Sequence, residues 1–171
     1  METFRYLLSC LICFAAVIVI TSNAESKPAQ PGTINSIPII IMGKSLDIRK
    51  EMTRAEVKSV MTSIIKNEAT IDIGERLQYD VILVEGEAPV TIFFDFDKKG
   101  IVTDITIDSF EAGQNPPVKS LLEWLNTSAG KPKVNKKKGT KTWILKGWKI
   151  EHIDHGSGEG SVYSITLTLQ Q

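Results

Sequence analysis

Cysteine is almost absent. The 171 residues contain two, Cys10 and Cys13, and both fall in a leader that reads as a secretory signal. The exported chain then has no thiol for a disulfide, a thiolate metal site or a cysteine nucleophile. A disulfide scaffold is excluded, and burial alone must hold the domain together, for which its length suffices. A spanning apolar run is lacking too: Leu7–Ile20 falls short of the roughly 20 residues that a transmembrane helix needs. With Arg5 before it and Ser22-Asn23-Ala24 after it, the run has the layout of a signal peptide cleaved before Glu25, with retention as an anchor the alternative. The apolar stretch follows Cys10 rather than preceding it, the wrong order for lipid attachment at that residue. The expected location is periplasmic or secreted, with no membrane span after cleavage.

Charge of one sign is also missing, since 20 Lys and Arg balance 20 Asp and Glu. Zero net charge and export argue against nucleic acid as a partner. The two histidines, His152 and His155, would point to opposite faces of a strand, so they cannot share a metal unless a bulge intervenes. Other ligands of the right type are too few nearby. No serine nucleophile elbow occurs, because Gly156-Ser157-Gly158 lacks its spacing, and the Gly156–Gly160 stretch reads as a hairpin tip, with no helix after it to make a phosphate cradle. Asp95 and Asp104 could imitate a glycosidase pair, yet exposed strand carboxylates usually serve solubility. No acid, base and nucleophile set assembles. The expectation is therefore no catalytic residue, no metal and no cofactor, with a hydrolase as a remote alternative.

What the chain does have is pattern. Thr53 and Glu56 are spaced as a capping box, with Met52 and Val57 as a hydrophobic staple. Val57, Val60, Met61, Ile64 and Ile65 then share one face of a helix predicted over Thr53–Asn67. Asn115 and Pro116 open a second helix with Val118, Leu121, Leu122 and Leu125 on its apolar face. Strands are predicted at Arg76–Val84, Val90–Phe96, Ile101–Ile107, Thr140–Lys146, Trp148–Asp154 and Val162–Leu169, with turns at Glu85-Gly86-Glu87 and Asp97–Gly100. Ile37–Met42 is apolar, but Pro38 confines any strand there to an edge or to the residues after it, and Gly43 breaks the run.

Val57-Lys58-Ser59-Val60-Met61 aligns with Val118-Lys119-Ser120-Leu121-Leu122, and three strand signals follow each. This suggests an internal repeat. The predicted organisation is a signal peptide over residues 1–24, a flexible leader over 25–36, and an α+β domain over 37–171 made of two units, at about 44–113 and 114–171. Each unit is a helix plus three strands, too small to be stable alone. Together they would form one antiparallel sheet with both helices on one face, leaving the polar face and the hairpin tips for recognition.

Met52-Thr53-Arg54-Ala55-Glu56-Val57, followed by an apolar helix and meandering strands, resembles the helix opening of the BamE-like family of small outer-membrane lipoproteins. The tandem arrangement resembles the secreted β-lactamase inhibitor proteins. The chain departs from the BamE pattern at Glu51, where glycine is usual, and lacks its lipid-bearing cysteine. The resemblance implies a periplasmic module that binds another protein, be it a toxin, an enzyme or an envelope component. An inhibitor or immunity protein is the first reading and an envelope-assembly accessory the second.

The halves differ in charge. Residues 68–111 are rich in carboxylates, whereas the second unit carries Lys136, Lys137, Lys138, Lys141 and Lys149 among its lysines. Such asymmetry can steer a charged partner, though it also fits two ordinary solvated faces. Trp143, Trp148, His152 and Asp154 crowd one predicted hairpin. Trp148, Ile150 and His152 share one strand face, Trp143 and Leu145 another, so one tryptophan can serve the core and one the surface; burial is the first reading for each taken singly, with at least one expected to stay partly exposed. Trp148 is the first choice for an exposed anchor and Trp143 the second. These nine residues are the candidate binding set.

Overall fold

Met42 and Gly43 both take positive φ, 50° and 75°, and Ile41 pairs with Lys44 directly across them. This is the backbone of a two-residue hairpin turn, which needs residues that tolerate left-handed geometry. It joins β1 (Ile37–Ile41) to β2 (Lys44–Ile48). Gly43 thus turns the chain into a second strand instead of ending the first. Alternation buries Ile37, Ile39, Ile41, Leu46 and Ile48 on one side of this hairpin and leaves Ser45 and Asp47 exposed.

The computed structural model describes residues 36–83, 89–109, 115–145, 147–154 and 163–170. The predicted signal peptide, nearly all of the predicted leader, the predicted turn at Glu85-Gly86-Glu87, His155 and the Gly156–Gly160 stretch lie outside the described residues. Helix α1 spans Arg54–Ile65 and opens with the capping box, complete on both sides. The Thr53 N–H donates to Glu56 Oε2 at 2.8 Å and the Glu56 N–H to Thr53 Oγ1 at 3.3 Å. The Thr53 amide first, and then the Thr53 hydroxyl, which donates to Glu56 Oε2 at 2.9 Å, hold the Glu56 carboxyl below its ordinary range. Thr53→Ala should cost about 0.5–2 kcal/mol of stability; a urea midpoint that does not move would place the origin of helix stability elsewhere. The helix ends sooner than predicted because Lys66 turns left-handed, at φ 59°.

Glu51 is also left-handed, at φ 64°, a backbone conformation that favours glycine. An L-residue there costs roughly 1–2 kcal/mol, offset in part by the roughly 0.5–1 kcal/mol of entropy that glycine loses on folding. Glu51→Gly should therefore stabilise the fold by up to about 1 kcal/mol, read as a higher urea midpoint. A lower midpoint would mean that the Glu51 side chain contributes more than its backbone costs.

After α1 come β3 (Ile71–Ile73), β4 (Arg76–Val81), β5 (Val90–Phe96) and β6 (Val102–Ser109). Helix α2 (Pro116–Ser128) opens on Asn115, whose Oδ1 accepts from the Val118 N–H at 3.1 Å. Then follow β7 (Lys133–Asn135), β8 (Thr140–Leu145), β9 (Trp148–Asp154) and β10 (Tyr163–Leu169). The last eight strands form one antiparallel sheet in the order β3-β4-β5-β6-β10-β9-β8-β7, and β1-β2 is a separate two-stranded sheet.

The expected α+β arrangement of two helix-plus-three-strand units does not hold. Among the described residues the protein is mostly β, with ten strands in two antiparallel sheets and two helices. The strands missed are β2, hidden behind the Gly43 turn, and β3 and β7, of three residues each, too short to show alternation.

Direct pairing carries one apolar row across six strands: Leu77, Phe94, Ile105, Leu167, Ile150 and Trp143. These residues form a single buried cluster with the inward side of the β1-β2 hairpin and with Val57, Met61, Ile64, Val118, Leu121 and Leu125 of the helices. Polar ties fix the covering layer. Arg54 N–H donates to the Gly100 carbonyl and Val102 N–H to that of Met52, which pins the start of α1 to the β5-β6 turn. Lys44 Nζ reaches the Ser63 carbonyl at 2.7 Å, and the Trp143 indole N–H donates to the Gly130 carbonyl at 3.0 Å. The hairpin and the two helices thus cover one face of the large sheet, within one compact unit, Thr33–Gln171.

Candidate functional site: the open face of the eight-stranded sheet

Because successive strand residues alternate sides, sealing one face of the sheet dedicates the other to solvent. One outward row runs Arg76, Asp95, Asp104, Thr168, Lys149 and Ile144, and the next Gln78, Phe93, Thr106, Thr166, Glu151 and Thr142. Thr and Ser fill the middle, carboxylates gather on β4 to β6, and apolar side chains remain at the flanks. Ile73, Ile82 and Ile144 are 74%, 62% and 63% exposed, and Phe93 is half-buried.

The electrostatics are organised pair by pair. Asp95 stands directly opposite Asp104, a placement that like charges disfavour. Arg76 relieves it with a two-pronged grip on Asp95, Nε to Oδ1 at 2.6 Å and Nη2 to Oδ2 at 2.9 Å, while its guanidinium lies 5.4 Å from the Phe93 ring centre. Asp95 is thus paired with a cation. Asp80 accepts from Thr91 Oγ1 at 2.8 Å and from the Gln78 amide at 3.1 Å. Lys149 pairs with Glu151 at 2.7 Å.

Asp108 faces Thr91 and Ser164 across the ladder, and burial pushes its carboxyl above the usual range. Since the folded chain holds this proton more tightly than the unfolded chain, the contribution to stability is fully present below the ordinary carboxylate range. It is lost as pH rises through the raised value. Asp108→Asn should therefore stabilise the protein at neutral pH, with the gain vanishing in acid, as measured by urea unfolding across a pH series. A gain independent of pH would point to packing instead of charge.

The structure divides the nine candidate residues. Trp143, Trp148 and His152 are 3%, 4% and 1% exposed, all on the covered face, so none is a surface anchor. The two tryptophans do not point to opposite sides: Trp143 pairs with Ile150 and Leu145 with Trp148, and directly paired residues of a hairpin share a face. The His152 ring meets Tyr163 edge to face at 4.7 Å. Lys136, Lys137, Lys138 and Lys141 are exposed at the β7-β8 hairpin, and Lys149 lies on the open face. Asp154 ends β9 opposite Tyr163, and its side chain is outside the described part.

The residues that the candidate set omitted are Phe93, Ile73, Ile82 and Ile144. Phe93 carried a readable signal, an aromatic in the polar phase of an alternating strand. Beside α1, a shallow depression is lined by Arg54, Phe96 and Lys98, but Arg54 is already bonded to Asp72 and to the Gly74 carbonyl. Among the described residues, no group of three or more His, Cys, Asp or Glu could hold a metal ion, and no helix is long and apolar enough to cross a membrane. No protein-family model, curated protein or solved structure matches the chain.

Proposed function

We propose that the chain is an exported protein-recognition module, of the inhibitor or toxin-immunity kind, that holds another protein against the open sheet face. The observation behind this reading is the asymmetry of the sheet: a single core seals one side, while the other keeps Phe93 and Ile144 partly or largely exposed among Thr, Ser and ordered charges. Aromatic and aliphatic anchors ringed by polar groups are the usual composition of a protein interface. The charges, tied into pairs before any partner arrives, cost little further ordering on binding.

The test is capture from an envelope extract on immobilised Thr33–Gln171, followed by kinetics with the captured protein. Phe93→Ala and Ile144→Ala should each weaken binding by about 2 kcal/mol if they are hot spots, chiefly through faster dissociation, with melting nearly unchanged. A captured protein that ignores both substitutions would remove the open face as the site.

A further inference from the structure

Between Glu123 and Glu151 there is no Asp or Glu, and the stretch contains eight lysines. Six of them, Lys131, Lys133, Lys136, Lys137, Lys138 and Lys141, are exposed on or beside β7 and β8, and none is among the ion pairs of the described residues. The turn that carries three of them is fixed. Asn135 Oδ1 accepts from the Lys137 and Lys138 amides at 3.1 and 3.3 Å, the Asn135 carbonyl accepts from Lys138 at 3.2 Å, and Gly139 closes the turn at φ 63°. Like charges held together on an ordered turn repel one another, and an anion from outside would relieve that repulsion.

We infer that the β7-β8 hairpin docks this domain on an anionic lipid bilayer. Three features select that occupant. The cations are all lysines, with no arginine after Arg76 in the chain, so they act as compact point charges on flexible stems and not as forks shaped for one phosphate or carboxylate. They do not converge: Lys133 pairs with Thr142 on the open-face side, whereas Val134 pairs with Lys141 on the covered side, an arrangement suited to an extended charged plane and not to a discrete ligand. Val134, between these lysines, is 55% exposed and can enter the apolar boundary of a bilayer while the lysines stay with the headgroups. Nucleic acid fits less well, because Trp143, the one aromatic of the hairpin, is buried and its N–H bonded to Gly130, leaving no stacking platform.

The experiment is co-sedimentation of Thr33–Gln171, a compact unit with its own core, with two kinds of vesicle: pure phosphatidylcholine, and phosphatidylcholine containing roughly one-third phosphatidylglycerol, an anionic lipid. Binding is expected to the anionic vesicles alone and to fall steeply with salt. At roughly fivefold per lysine, the combined Lys136→Glu, Lys137→Glu and Lys138→Glu variant should lose about 100-fold in partitioning, with an unchanged melting curve. Val134→Ser should lose roughly tenfold, and that loss should persist as salt rises, since apolar insertion is not screened. Phe93→Ala should bind vesicles as the parent does, which separates this surface from the open face. Equal binding to both vesicles, no binding to either, an undiminished triple variant, or retention by inorganic polyphosphate without retention by vesicles would each overturn the assignment. Should the triple variant fail to fold, the salt series and the vesicle comparison with the parent protein decide alone.

Discussion

Trp148→Ala is expected to lower the unfolding free energy by about 3–5 kcal/mol, the usual cost of truncating a large buried aromatic. Trp148 is 4% exposed, pairs with Leu145 on one side and Leu169 on the other, and belongs to the one buried cluster of the domain. Its deletion leaves a cavity near the end of the sheet beneath the covering layer, where the paired strands on both sides are too constrained to collapse into it. For a domain whose total stability is of the order of 5–15 kcal/mol, that loss shifts the urea midpoint far and leaves little margin. Whatever fraction stays folded should bind the protein proposed to sit on the open face at unchanged rates, because the Trp148 side chain is buried. The two readouts are the midpoint and the dissociation rate of the folded fraction. A loss of unfolding free energy below about 1 kcal/mol, outside the range for buried aromatics, with faster dissociation would make Trp148 an anchor after all.

Local chemistry explains which parts of the fold could be read beforehand. Thr53 with Glu56, and Asn115 with Pro116, announce helix starts because satisfying the first free amides requires those side chains at those spacings. Val90–Phe96 and Trp148–Asp154 appear with their predicted ends, since alternation over seven residues is enough to show its period. What escaped is what depends on neighbours. Ile71–Ile73 and Lys133–Asn135 are strands only because β4 and β8 offer them an edge. The two opposite edges of the large sheet, each ended by such a short strand, also give other chains little to pair with. The Met42-Gly43 turn escaped for another reason: a lone glycine after an apolar run looks the same whether the chain stops there or doubles back.

The candidate site was less legible than the fold, and for a physical reason. Burial of an aromatic is decided by strand register, and the register of β8 on β9 follows from a turn at Gly147 (φ 82°) that sets Leu145 opposite Trp148. Counting faces strand by strand, without that turn, put Trp143 and Trp148 on opposite sides. Charge was easier, because a lysine-rich turn has nowhere to go but outward: Lys136, Lys137 and Lys138 are all exposed. Phe93 shows the opposite failing. Its phase in the strand assigned it to the open face, yet a single aromatic in a polar phase carries little weight until a bare surface is seen around it.

Cutting the chain after Gly113 should abolish cooperative unfolding altogether. The fragment Glu25–Gly113 retains α1 and the strands up to β6, but it loses β10, which pairs with β6 from Tyr163↔Ser109 to Thr168↔Asp104. The cut bares the ladder edge of an eight-residue strand whose neighbours on the covered side include Ile105 and Ile107, both fully buried in the intact protein. It also removes α2, the helix that lies against β1, so Ile37, Ile39 and Ile41 lose part of their cover. Half a sheet with half a covering layer buries too little apolar area to offset the entropy of ordering the chain, and the bare edge is a template for intermolecular pairing. Circular dichroism through a urea titration should show a broad, sloping change in place of a sigmoid, and the fragment should aggregate at concentrations where the intact domain stays in solution. A sharp transition with a slope proportionate to its length would instead show that the β6-β10 seam joins two units that fold independently. The single core spanning both sides of that seam argues against such independence.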